Sequence, residues 1–317
     1  MEFKSCQSIR SDCKISNRID HIDQCKGFGI MLIICSHIMM SPNFCHSIFA
    51  SMWNAMLNSF YVPLFFILSG TFESSEKSIN KIMNRLIRLM KYILIFVIFG
   101  LFSSRLLCGD WSLGSVLYAP RTTVWFLITL FWITLFMGAI KQIKYYKLIM
   151  PFFCIGGILI SNYIESLLFI GQALINLPFY VLGFYLHKRL KVVKFDVKIF
   201  VIALVSWICL MYFFYSPQIL ALNQISQPFI TFYLCAISGS FIVIELCKLK
   251  IFRSGILAWY GRNSIVPMLV QIIFIWLLSS VCLPGNIIQY FSFAIIACAL
   301  SGACIPLFRN NYYDIFK

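Results

Sequence analysis

From residue 27 almost to its end, the chain alternates apolar runs of about twenty residues with short polar breaks. A hydrocarbon core about 30 Å thick takes roughly 20 apolar residues as helix, with about 17 to 25 tolerated. On that ruler the pattern predicts ten helical spans, at 27–44, 51–72, 84–104, 122–140, 147–163, 166–186, 197–216, 227–247, 255–282 and 286–308. Between the fifth and sixth spans only Asn162 and Glu165 interrupt the apolar run, so these two are expected to form a tight helical hairpin. The expected fold is all-α, a polytopic transmembrane bundle with both termini on one side. Residues 1–26 read as a polar tail, 27–308 as one membrane domain without a dividing linker, and 309–317 as a short tail. The first apolar run leads into further spans rather than into a small-residue cleavage site, so no cleavable signal peptide is expected.

Composition strengthens this picture. Hydrophobic residues make up 61% of the 317 and charged ones 12%, too little polar surface to cover a soluble domain of this size. The net charge of +15 could suggest a nucleic-acid partner. The charges, however, lie in short clusters between apolar runs, and such loops do not build a basic groove. With a cytoplasmic tail, every Lys and Arg of the 26 falls on a cytoplasmic segment except Arg105 and Arg121, both on the loop joining the third and fourth spans. That is the bias membrane insertion produces. The 13 cysteines lie mostly inside apolar runs and form no C-x-x-C pair, so they read as small apolar residues. Neither Cys35 with His37 nor Cys45 with His46 has further ligands at metal spacing, and no metal is expected.

Ionisable groups at depth are costly in a membrane, and His37 in the first span is the main one. Eleven residues of helix rise about 16 Å, which places His37 near or beyond the midplane if Lys26 is at the interface. A neutral imidazole can act as a general base there; a hydrogen-bonded contact between helices is the equal alternative. Asp23 and Lys26, three apart, share a helical face at the cytoplasmic end. Arg85 and Arg88 open the third span as a fork suited to phosphates, or as ordinary interfacial anchors.

Taken together, these residues resemble the acyltransferase-3 family of membrane O-acyltransferases. Asp23, Lys26, Gly27 and His37 are similar to its first-helix signature, in which a basic residue, usually Arg, precedes His with ten residues between them. Val62-Pro63-Leu64-Phe65-Phe66-Ile67-Leu68-Ser69-Gly70 resembles its second-helix stretch, and Arg85 with Arg88 its Arg-x-x-Arg motif. Trp125-Phe126-Leu127 and Tyr260-Gly261-Arg262-Asn263-Ser264 resemble two later elements, so the likeness runs from about residue 18 to 275 in order. Many members carry a second His where this chain has Gln271.

The resemblance implies transfer of an acyl group, most often acetyl from acetyl-CoA, to a hydroxyl of a surface carbohydrate, in the bacterial inner membrane. It implies His37 as base and Lys26, Arg85 and Arg88 as the site for coenzyme A phosphates. Asp23, Asn263 and Ser264 would support or orient, and no cofactor would be permanently bound. The acceptor is expected to be a lipid-linked or exported glycan. Candidates to contact it are Trp111 and Arg121, on the longest external loop, and Trp125 beside it; interfacial anchoring is their other reading. The alternative function is a transporter or flippase using His37 as a proton relay. No internal repeat or inverted symmetry is visible in the sequence to favour it.

Overall fold

The computed structural model describes residues 19–39, 48–73, 75–108, 124–161, 163–164, 167–214, 220, 228–281 and 286–311. Among these residues every regular element is a helix. In chain order they are α1 (Asp20–Met39), α2 (Ile48–Asn58), α3 (Tyr61–Thr71), α4 (Ile79–Cys108), α5 (Val124–Lys141), α6 (Tyr146–Ser161) and α7 (Ile170–Tyr185). There follow α8 (His187–Leu190), α9 (Val197–Phe214), α10 (Phe229–Lys248), α11 (Gly255–Arg262), α12 (Ile265–Val281) and α13 (Ile287–Asn311).

Seven of these segments are long and apolar enough to cross a membrane, counting 51–71 as one, or eight if α11 and α12 form one bent span. The other two of the ten expected spans are α6 and α7, each 16 residues and so about 24 Å long. They pack together as the expected hairpin, and the Tyr185 hydroxyl donates to the Lys147 carbonyl across its open end. The residues expected to form its tip, Asn162 and Glu165, lie outside the described residues. α1 begins at Asp20 and α4 at Ile79, both ahead of the predicted starts, because the polar residues before each apolar run continue the helix.

Two spans expected to be continuous are broken, each four residues ahead of a proline. Pro63 lacks the N–H that would bond the Ser59 carbonyl, and its ring crowds that carbonyl; the helix breaks at Ser59–Phe60. Pro267 stands in the same relation to Asn263, where α11 and α12 meet at 92°. The first break is held from outside. Trp207 Nε1 donates to Ser59 Oγ at 3.2 Å, and Ser240 Oγ reaches the Phe60 carbonyl at 3.4 Å.

α1, α3 and α7 supply the centre, where Ile30, Leu64, Phe66, Ile67, Phe179 and Tyr180 are fully buried. α9 is the opposite case: Ala203 is its one buried residue, and its exposed Ile202, Ile208 and Phe213 are apolar. That face suits lipid contact. The cationic segments assigned to one side do meet at one end of the bundle. Arg262 pairs with Asp20, His21 bonds the Leu190 carbonyl, Lys141 pairs with Glu73, and Asp196 N–H donates to Glu245.

Candidate active site

At the cationic end, α1 and α11 touch backbone to backbone. A Cβ at Gly27 would collide with the Leu257 carbonyl, and one at Gly261 with the Asp23 carbonyl. Only glycine permits this approach, so the first-helix signature and the late Gly-Arg-Asn-Ser segment form one structural unit. Asp23 sits between two cations: its carboxylate is 3.8 Å from Lys26 Nζ and 3.4 Å from Arg262 Nε. Arg262 also donates to Asp20 at 2.5 Å. Asp23 therefore positions Lys26 and ties it to α11.

A second glycine crossing fixes the neighbouring wall. Cβ atoms at Gly70 and Gly183 would strike the carbonyls of Tyr180 and Ile67, so α3 and α7 meet without side chains between them. This brings Tyr180 to Glu73, just beyond the end of α3. The Glu73 carboxylate accepts from Tyr180, Arg85 and Lys141 at once. Burial pushes the Glu73 carboxyl up, but Arg85 and then Lys141 and Tyr180 outweigh it and hold the group below its ordinary value. One carboxylate against two cations leaves this hub positive.

Beside the hub, Phe72 carries Lys26 Nζ 4.9 Å and Lys191 Nζ 5.6 Å from its ring centre. Lys77 lies 5.7 Å from the Tyr146 ring and donates to the Ile143 carbonyl at 3.2 Å. Arg85 and Arg88 are therefore not equivalent. Arg85 is locked to Glu73, whereas Arg88 is exposed and makes no ion pair among the described residues.

His37 lies in the last turn of α1 and is half-buried. Eleven residues at about 100° each come to just past three turns, so Lys26 and His37 share one face, about 16 Å apart. A polar network starts from the preceding residue of α1, Ser36. Ser36 Oγ donates to Asn54 Oδ1 at 2.8 Å and lies 3.4 Å from Asn58 Oδ1. Asn58 Nδ2 donates to Asn54 Oδ1 at 2.9 Å. On the other flank the Tyr290 hydroxyl donates to the Cys35 carbonyl at 2.7 Å, and Trp53 packs edge-on to Phe291.

The structure thus brings Asp23 and Lys26 together with Arg262, and places His37 at the far end of the same helix. It does not bring Asn263 and Ser264 to His37. They sit at the Asp20 end, and Asn263 Nδ2 donates to the Trp259 carbonyl within its own turn. Trp125 is buried, with its ring edge-on to Phe126, rather than open to a large ligand. Gln271 is buried in α12 and donates to the Met268 carbonyl. Trp111 and Arg121 lie outside the described residues, as do Cys45 and His46. Among the described residues no group of His, Cys, Asp or Glu could hold a metal ion.

Sequence reasoning missed Glu73, Lys141 and Tyr180 at the hub, and Asn54 and Asn58 in the network on Ser36. A signal existed for two of them: Asn54 and Asn58 are one helical turn apart inside an apolar run, where unpaired amides are expensive. Glu73, one of only 11 acidic residues, stands three residues after Gly70 of the Ser69-Gly70 element.

No curated protein and no solved structure matches the chain significantly. The model of the acyltransferase domain family does match, over residues 19–305, which takes in both glycine crossings, the Glu73 hub and His37. The chain therefore belongs to the acyltransferase-3 family, and is a membrane acyltransferase of multi-pass helical architecture.

Proposed function

We propose that the protein transfers an acetyl group from cytosolic acetyl-CoA to a hydroxyl of a bacterial surface polysaccharide, presented as a lipid-linked or exported glycan. The observation that carries this reading is the common face of α1, with Lys26 at the cationic end and His37 about 16 Å deeper. The cationic end faces the cytoplasm of the inner membrane, as the distribution of Lys and Arg favours. Lys26 and Arg88 hold the phosphates of coenzyme A there, while Arg85, braced by Glu73, contributes to the positive field. The thioester arm then runs along α1 towards His37. His37 takes the proton of the acceptor hydroxyl, work suited to a half-buried imidazole. Membership of an acyltransferase family sets aside the transporter alternative, in which His37 relays protons.

The test compares the surface glycan, by NMR and mass spectrometry, from cells with the wild-type gene, with His37→Ala and without the gene. O-acetyl groups should be present only with the wild type. An equally acetylated glycan in His37→Ala cells that make and insert the protein would refute the base assignment. A glycan without O-acetyl groups in all three would refute the acceptor class.

A further inference from the structure

Phe72 is a large apolar side chain that the fold holds out at the cationic end, 44% exposed where α3 stops. Its backbone is fixed on both sides. The Phe72 N–H donates to the Ser69 carbonyl at 3.3 Å, and the next N–H, of Glu73, to the Gly70 carbonyl at 3.0 Å. The Glu73 carboxylate is in turn tied to Tyr180, Arg85 and Lys141. The ring is therefore a firm platform. Two ammonium groups from different segments converge on it: Lys26 of α1 at 4.9 Å and Lys191, which follows α8, at 5.6 Å from the ring centre. Lys191 is exposed and makes no ion pair with a carboxylate among the described residues.

Two like charges gathered at one ring repel each other, and an anion that accepts from them offsets that cost. A cation over an exposed ring is weakly held, whereas an ammonium–phosphate hydrogen bond is charge-assisted and strong. Both lysines can therefore swing from the ring to phosphates and leave its face to a planar base, whose π-face stacks on an aromatic side chain. An aromatic platform between two cations suits a nucleotide with phosphates on two sides. Coenzyme A has that form: its adenosine lies between a pyrophosphate, which leads to the thioester arm, and a 3′-phosphate. We propose that Phe72 stacks the adenine of the acyl donor and that Lys191 binds its 3′-phosphate, with Lys26 left to the pyrophosphate; this rests on acetyl-CoA being the donor, as proposed above. The groups then follow one another on the protein as on the ligand. Lys191, Phe72, Lys26 and His37 match 3′-phosphate, adenine, pyrophosphate and thioester, and the span of about 16 Å from Lys26 to His37 is left for the arm.

The experiment titrates coenzyme A and 3′-dephospho-coenzyme A into the purified full chain in detergent by calorimetry, with melting temperatures of the ligand-free proteins as the check on folding. Wild type should bind coenzyme A about tenfold more tightly than the dephospho form, the worth of one charge-assisted contact. Lys191→Ala should bind both alike, at the wild-type affinity for the dephospho form. Phe72→Leu, which keeps an apolar side chain but no ring, should bind both about tenfold more weakly and preserve their ratio. A merely structural role for Lys191 would move both affinities together and leave the ratio intact. Lys191→Ala with the wild-type preference overturns the 3′-phosphate assignment, as does a wild type that binds both ligands equally. Phe72→Leu with wild-type affinities overturns the stacking. If Phe72→Leu does not fold, Lys191→Ala carries the test. A wild type that binds neither ligand is a separate result, and refutes the donor on which this rests.

Discussion

Gly261 packs its Cα against the backbone of Asp23, the residue whose carboxylate holds both Lys26 and Arg262. A methyl group at 261 has no flexible neighbour to displace, because the atoms it meets are backbone. Gly261→Ala should therefore cost at least the roughly 1–3 kcal/mol typical of overpacking. A fall of several degrees in the melting temperature of the detergent-solubilised protein is the expected result, with acyl transfer reduced in parallel. Gly183→Ala, at the other crossing, should behave alike.

Glu73 predicts a pH dependence. Its carboxyl is held below its ordinary value in the folded protein, so the stability it contributes is fully present above about pH 4.3. That contribution is lost as pH falls through the depressed folded value. Glu73→Gln should be less stable at neutral pH, because it leaves Lys141 buried without its carboxylate, a situation that costs about 3–5 kcal/mol. The variant should also lose part of the acid dependence. Melting temperatures of both proteins from pH 3 to pH 7, on the order of one pH unit apart, check this.

Arg85 and Arg88 should separate on substitution, although they stand in one motif. Arg88 is exposed, so Arg88→Ala should raise the KM for acetyl-CoA about tenfold and leave the melting temperature unchanged, as for loss of one phosphate contact. Arg85→Ala removes a partner of Glu73 and should lower the melting temperature as well. Steady-state kinetics and thermal melts on the same preparations distinguish them.

Pro63→Ala restores an N–H opposite the Ser59 carbonyl and lets α2 and α3 join into one straight helix. Joining them should shift Asn54 and Asn58 relative to their partner Ser36 on α1. Acyl transfer should fall by about 100-fold, the loss expected when a reacting geometry shifts by roughly 1 Å, while helix content holds or rises. Circular dichroism and the transfer assay together test it.

The sequence rhythm sufficed for the helical class, for most helix positions and for the gathering of cations at one end. These depend on apolar length and charge placement, which are local properties. The breaks before Pro63 and Pro267 were open to inference from proline chemistry, but the apolar runs are continuous there and outweighed it. His37, Lys26 and Asp23 could be placed relative to one another because one helix carries all three. Glu73 with Tyr180, and Ser36 with Asn54, are contacts between different helices, which no spacing along the chain encodes. Asn263 and Ser264 illustrate the reverse failure: their motif is real, but the turn they occupy returns to Asp20 and not to His37.

The shortness of α6 and α7 has a consequence for the lipid around them. Two adjacent helices of about 24 Å fall short of a hydrocarbon layer of about 30 Å, a mismatch that a bilayer can meet by thinning locally. Thinning would shorten the distance an acceptor hydroxyl on the far leaflet must travel inward. Reconstitution in lipids of shorter acyl chains should then relieve the mismatch and raise the transfer rate, and long-chain lipids should suppress it. The membrane itself would thus be part of what sets the depth at which the two substrates meet.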